Sequence, residues 1–364
     1  MCDSSAIDQR AEPSRSARQT TNQVASWWRR HRFSLTLGLL LVITMLASLT
    51  LGKYPLPLDD ILQFFRQYLP GVQTMEQSRF ELLSNILWQI RAPRLVAAVL
   101  IGAALASSGA AFQSMFINPL VSPGLLGVLS GASCGAALGM LLAPSWLGVQ
   151  LCSFGGGLLA VIAALGVARL YRGDRLLMLI LGGVISGSLF TSLLSIIKYV
   201  ADPYDQLPGI VYWLMGGLAM ADAGTVGIVA IPIGIGVVGL IVLAPYLNIL
   251  SMGDEEARSL GINVPLLRGW LILLATVISA LTVVLGGLIG WVGLIIPHIG
   301  RMLVGPDNRR LLPVSALLGA LYLVLVDDLA RLLLDVEIPL GIVTSLIGIP
   351  FFILVLKKAR KGWG

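Results

Sequence analysis

The acidic pair Asp327-Asp328, with Arg331 one helical turn further on, and the two arginines of Arg91-Ala-Pro-Arg94 are the charges in this chain best suited to act on something. On a helix, Arg331 stands at i+4 from Asp327 and i+3 from Asp328, so an internal ion pair is one reading. Carboxylates inside an apolar segment also carry coupling protons or sodium in secondary transport, which is a second. Arginine suits a further task, because its planar fork grips carboxylates bidentately, although at helix ends it also snorkels toward water. Other reactive types are scarce. The histidines are His31 and His298, and Cys2, Cys134 and Cys152 have neither metal-ligand spacing nor an obvious pairing. No Ser-His-Asp, Cys-His or paired-carboxylate constellation falls in a plausible pocket, and no G-x-x-x-x-G-K-[ST] phosphate cradle occurs. The sequence therefore predicts no catalytic residue, no metal site, no cofactor bound by this chain and no ATP hydrolysis of its own.

A polar island, Gly253-Asp-Glu-Glu-Ala-Arg-Ser-Leu-Gly261, interrupts an otherwise apolar region. It reads as a short water-exposed helix. Asp254 is placed to cap its N-terminus, Glu255 and Glu256 sit in the positive first turn, and Gly261 supplies a left-handed stop. A compact helix built on the surface of a membrane protein is an offer to a soluble partner.

The elements that must position these residues are membrane spans. Of the 364 residues 56% are hydrophobic and 12% charged, too few charges to cover a soluble domain of this length. Crossing the bilayer core takes roughly 20 apolar residues. Ten candidates stand at about 33–51, 95–113, 125–143, 149–168, 176–197, 225–246, 269–289, 291–304, 311–326 and 338–356, the eighth and ninth short enough to need tilting. With the N-terminus inside, 18 of the 25 Lys and Arg fall on the cytoplasmic side and 11 of the 19 Asp and Glu on the outside. That puts both termini and the 253–261 helix in the cytoplasm, and Arg91, Arg94 and Arg331 near the outer face. The net charge of +6 needs no nucleic acid to explain it. Residues 1–32 read as a disordered polar tail ending in an interfacial anchor, Trp27-Trp28-Arg29-Arg30-His31-Arg32, and 33–360 as a single transmembrane domain. The charged stretch is too long for a cleaved leader. External segments at about 53–90 and 198–224 predict short surface helices, and glycines clustered inside the spans predict a tightly packed bundle.

Four stretches in register say more. They are Arg91-Ala-Pro-Arg94 leading into Gly102–Gly109; Asn118-Pro-Leu-Val-Ser-Pro-Gly124 and onward to Ala132; Gly290-Trp-Val-Gly-Leu-Ile-Ile-Pro-His-Ile-Gly-Arg301; and Asp327-Asp-Leu-Ala-Arg331 with Glu337-Ile-Pro-Leu-Gly341 beyond it. Pro119 and Pro123 remove backbone donors and break the helix, turning the chain tightly back toward the next span; a structural role and a gating role both fit Asn118, Pro119 and Pro123. Pro297, His298 and Arg301 lie at the inner end of a span, where His298 reads as a polar helix-end residue.

From about 33 to 360 this set resembles the FecCD-type permeases, the vitamin B12, haem and iron-siderophore importers of the ABC superfamily. The resemblance implies an all-α, type II importer permease of ten helices per subunit in the bacterial cytoplasmic (inner) membrane. It implies a homodimer with the translocation path at its interface, two ATPase subunits that bind ATP and Mg on the cytoplasmic face, and an extracytoplasmic substrate-binding protein docked outside. It matches the coupling helix to 254–260, so that Asp254, Glu255, Glu256, Ala257, Arg258, Leu260 and Gly261 would sit in a cleft on the ATPase. It matches Arg91, Arg94 and Arg331 to arginines that pair with glutamates of the docked binding protein. An iron-siderophore is the commonest cargo such a permease carries, with haem and cobalamin behind it. The competing class is an ion-coupled secondary transporter using Asp327 and Asp328.

Overall fold

The computed structural model describes residues 15–69, 75–142, 145–170 and 174–360. In chain order the helices are α1 (Arg15–Thr50), α2 (Leu58–Arg66), α3 (Gln77–Ser84), α4 (Ala92–Met115), α5 (Val128–Leu142), α6 (Trp146–Leu170) and α7 (Arg175–Val200). There follow α8 (Gln206–Leu214), α9 (Ala223–Leu250), α10 (Asp254–Ser259), α11 (Val264–Gly286), α12 (Val292–Val304), α13 (Asn308–Leu332) and α14 (Leu340–Arg360). A π-helical turn, Asn85–Arg91, joins α3 to α4, and a 3₁₀ turn, Pro123–Leu126, precedes α5. The described residues contain no strand.

Seven of these helices are long and apolar enough to cross a membrane: α1, the continuous α3–α4, α6, α7, α9, α11 and α13. The ninth candidate is therefore no short span. It runs 25 residues because Asn308–Arg310 and Asp327–Leu332, too polar to count in an apolar window, are helical as well. The short ones are α5, α12 and α14. At 15 and 13 residues α5 and α12 are about 22 and 20 Å long, less than the ~30 Å core. Each is preceded by irregular backbone that carries part of the crossing. Before α5 that is the 3₁₀ turn, closed by Gly127 at φ 80°; before α12 it is the Gly287–Trp291 segment, with Trp291 itself at φ 65° and its ring edge-on to Phe352. Non-helical backbone at membrane depth is tolerated where protein surrounds it, and Leu126, Ile289 and Val292 are all buried.

Three helices form the centre. In the most apolar window of α3–α4, 78% of residues are buried, and in α11 and α13 72%, against 17–33% in α1, α6, α7 and α9. Small residues permit this. A Cβ at Gly102 of α4 would collide with the carbonyl of Gly319 of α13, and one at Gly109 with that of Gly293 of α12. In lipid, where apolar surface gains nothing by leaving water, such close backbone approach is what holds helices together. Cys152 packs where α6 meets α5, and Cys134 is buried in a cluster with Leu194 of α7 and Ile210 of α8, both as small residues.

From residue 15 to residue 32 the backbone departs from the expected disorder. Residues 1–14 lie outside the described residues, and from Arg15 the backbone is helical and continuous with the first span, so the anchor is an extension of α1. A formed helix propagates at little cost once nucleated, and the span supplies the nucleus. Since α1, α4, α9, α13 and α14 all traverse the bundle, its two ends are distinct. One carries α2, α3 and α8; the other carries α10, the start of α1 and the end of α14.

Candidate functional site

At the α10 end, α9 stops at Leu250 and turns through bonds from Ser251 N–H to the Leu247 carbonyl (3.0 Å), Met252 to Ile249 (3.0 Å) and Gly253 to Leu250 (3.2 Å). Asp254 does not cap α10. Gly253 is the N-cap, at φ 125°, and Asp254 is the first helical residue, its carboxylate taking both arms of Arg268 at 2.9 and 2.6 Å. A charged bidentate donor outcompetes a neutral backbone N–H for the same oxygens. The Glu256 carboxylate folds back over Gly253, where a Cβ would stand. The stop is as expected: Gly261, at φ 80°, donates to the Arg258 carbonyl (2.9 Å) and Ile262 to that of Ala257 (3.1 Å), the paired bonds of a Schellman motif. Ala257 is fully buried against the bundle, while Glu255, Glu256, Arg258 and Leu260 face outward. A six-residue helix does not hold itself together in water. Caps, an ion pair and a buried alanine fix this one in place with its charges presented.

The other end is the opposite case. Arg94 bonds Asp327 through Nε (3.1 and 3.0 Å) and Nη2 (2.9 Å), and Glu337 through Nη1 (3.1 and 2.9 Å). Arg331 pairs with Asp327 at 3.1 Å and with Asp328, whose carboxylate also accepts from Ser48 at 2.6 Å. Arg91 donates to the backbone carbonyls of Leu49 and Tyr54, binding the chain after α1 to α4. The side chains of Arg94 and Arg331 are 10% and 11% exposed, Asp327 5%, Glu337 34%. The internal pair read from the i+3 and i+4 spacing is present. Arg91 and Arg94 neither snorkel nor present an open fork; they are buried with partners inside the chain, and Glu337 is the member of the cluster that reaches the surface. Glu337 was legible as part of a motif but not as a ligand of Arg94, from which 243 positions separate it.

The re-entry segment is as tight as its prolines require. Ile117 adopts φ 50°, Asn118 N–H bonds the Gln113 carbonyl (3.0 Å), and the Asn118 side chain accepts from Leu120 N–H (2.9 Å). Pro123 packs against Gly293. Just before it, Gln113 receives Arg301 and reaches the Leu294 carbonyl (3.3 Å), so Arg301 is a buried-amide partner; His298 lies edge-on to Phe351.

A surface not predicted lies on α7. Ser188, Thr191, Ser192 and Ser195 recur at i, i+3, i+4 and i+7, all exposed, in a span otherwise apolar. With Gly124, Leu125, Gly183 and Gly187 three of them line an open groove of about 510 Å³ that contains no charge. Thr191 and Ser195 bond back to the carbonyls of Gly187 (2.8 Å) and Thr191 (3.0 Å), which lowers the cost of an apolar setting. The hydroxyl spacing is visible in the sequence.

A packed bundle with seven helices long and apolar enough to cross a membrane, and one fixed polar helix at its end, defines a multi-span membrane protein. The chain belongs to the FecCD transport family, whose model matches residues 40–358. It is 39% identical over 332 residues to the molybdate import system permease protein MolB of Haemophilus influenzae, covering 91% of this chain and 96% of that one. It is 37% identical over 340 residues to the vitamin B12 import system permease protein BtuC of Salmonella typhi (91% and 97%), and 38% over 278 residues to a Helicobacter pylori protein described as a probable iron chelatin permease (76% and 84%). Among solved structures it resembles a metal-chelate type ABC transporter in an inward-facing conformation, with a TM-score of 0.79 at 38% identity over 90% of this chain and 99% of that one. PsaBC of Streptococcus pneumoniae shares the fold alone, at 18% identity and a TM-score of 0.54. The protein is thus a permease subunit of the bacterial ABC importers and resides in the inner membrane.

Proposed function

We propose that two copies of this permease, with two ATPase subunits at the α10 end and a binding protein at the α8 end, import a metal chelate, with an iron-siderophore the leading cargo. The observation that carries this reading is α10 itself, an exposed acidic helix whose backbone is fixed on every side and which no folding requirement explains. A force applied to its outer face would pass to α9 and α11, because Ala257 is buried against the bundle and Asp254 is paired with Arg268 of α11. The bias of Lys and Arg supports placing this end, and with it both termini, in the cytoplasm. The uncharged α7 groove suits a path at the interface of two copies, passing a bulky cargo without gripping it. Docking of the binding protein through Arg91, Arg94 and Arg331 would require its carboxylates to compete with Asp327, Asp328 and Glu337, and at Arg91 with the carbonyls of Leu49 and Tyr54, for forks already occupied. Asp327 and Asp328 are poor coupling sites for an ion-driven carrier, since two arginines and Ser48 hold both in ion pairs and hydrogen bonds.

Reconstitution tests the proposal. Liposomes holding this chain with its ATPase and binding protein should take up one of ferric siderophore, haem or cobalamin in an ATP-dependent manner. ATP-dependent uptake of molybdate alone would replace the cargo class, and uptake by this chain alone under an ion gradient would overturn the mechanism.

A further inference from the structure

One side chain links the end of α9, just before α10, to the start of α13. Asn248 lies in the last turn of α9, two residues before the turn into α10. Its Nδ2 donates to Asp307 Oδ1 at 2.7 Å, and its Oδ1 accepts the backbone N–H of Asn308 at 2.8 Å. Asp307 is the N-cap of α13, accepting from Arg309 N–H at 3.0 Å, and Asn308 is its first residue, 2% exposed. Asn308 Oδ1 in turn accepts from Ser114 Oγ at 2.6 Å, in the last turn of α4. Four residues further on stands Asn118-Pro119, held by its own bond to Gln113. Hydrogen bonds of 2.6–2.8 Å thus join the last turn of α9 to the start of α13 and the last turn of α4, from which the chain runs on to the segment whose Gly124 and Leu125 line one wall of the α7 groove.

Resting on the coupling reading above, we infer that Asn248 is a positioning residue of transport: it transmits displacement of the coupling helix to α13 and α4, and so to the re-entry segment 118–127. The chemistry calls for an amide. Only a side chain that donates and accepts from one planar group can serve a carboxylate and a backbone N–H together, and the neighbouring Asp307 makes a carboxylate at 248 repulsive. A leucine there keeps the volume and loses both bonds. Spatial connection alone does not demonstrate coupling, so the test must read coupling itself.

The complex with its ATPase supplies that test, using Leu120→Cys, an exposed position of the re-entry segment, in a chain whose Cys2, Cys134 and Cys152 are replaced by alanine. In the parent, the rate of maleimide labelling at 120 should change on adding ATP and vanadate. Asn248→Leu should keep ATPase binding and hydrolysis while the labelling change disappears and uptake per ATP falls about fivefold. Asn248→Asp should behave likewise. The double exchange Asn248→Asp with Asp307→Asn rebuilds the bridge with donor and acceptor reversed and should restore both readouts, a rescue that separates coupling from misfolding. If the parent responds to nucleotide and Asn248→Leu responds equally, the relay is overturned alone. Failure of the double exchange to recover coupling in a folded, ATPase-bound complex also overturns it. A parent that binds the ATPase and shows no nucleotide-dependent labelling overturns the coupling reading and the relay together.

Discussion

The two ends of this bundle handle charge in opposite ways. At the α8 end, Arg94 and Arg331 meet Asp327, Asp328 and Glu337 inside the protein, and Arg91 closes on backbone carbonyls. At the α10 end one ion pair, Asp254–Arg268, fixes a helix whose remaining charges all point away from the bundle. Charges that satisfy one another hold α1, α4, α13 and the start of α14 in register. Charges on a fixed backbone with no partner among the described residues are available to another molecule. Residue type does not separate the cases, since both ends are made of arginine, aspartate and glutamate.

Breaking a buried pair on one side should therefore have the largest consequence. Arg94→Ala leaves Asp327 buried beside a single remaining arginine and should destabilise the permease by about 3–5 kcal/mol, read as thermal unfolding in detergent. A loss below about 1 kcal/mol would mean that the cluster is not structural. At the other end, Glu255→Arg with Glu256→Arg should change stability by no more than about 0.5 kcal/mol yet abolish ATP-driven uptake. Normal uptake in that double variant removes α10 from coupling and dissolves the contrast.

Gly261→Ala sharpens the comparison by disturbing α10 without touching a charge. At φ 80° the added Cβ should cost about 1 kcal/mol locally and lower uptake per ATP while leaving the Arg94 cluster intact. Glu337→Gln loosens one arm of Arg94. If docking uses that arginine, the variant should bind the binding protein several-fold tighter and with a steeper salt dependence, measured by titration at two ionic strengths; unchanged affinity would confine Arg94 to its structural task.

The smallest effect concerns pH. Partial burial alone would raise the Asp307 carboxyl, but bonds from Asn248 and from the Arg309 N–H outweigh it and hold its pKa below the ordinary carboxylate range. A depressed acid stabilises the folded state above its unfolded pKa of about 3.9, and that contribution is lost as pH falls through the folded value. Asp307→Asn should flatten this part of the acid limb, seen as a smaller change in unfolding temperature between neutral and strongly acidic buffer.

Much of this was written in the sequence. Apolar runs bounded by basic residues locate the spans, because a bilayer requires a run of that length and nothing soluble tolerates it. The exposed helix at 254–260 and its left-handed glycine stop follow from local chemistry, since capping is settled within a turn. So does the tight turn at Asn118-Pro119. Length failed where composition misled: α13 runs through Asp327 and Asp328, and no apolar window extends across two acids neutralised by Arg331 beside them and Arg94 on another helix. The capping role of Asp254 failed for the same reason, since Arg268 stands fourteen positions away and takes the carboxylate first.

The sequence by itself determined the class, the spans and the family, because these rest on hydrophobic length and on motifs read in order along the chain. The tertiary structure alone decided which charges face inward. Arg94 has a partner 233 positions distant, and Asn248 bridges 59, so whether a fork is open or occupied depends on which helices lie side by side. That is set by glycine-permitted backbone contact between α4, α12 and α13, a packing outcome that no local pattern encodes.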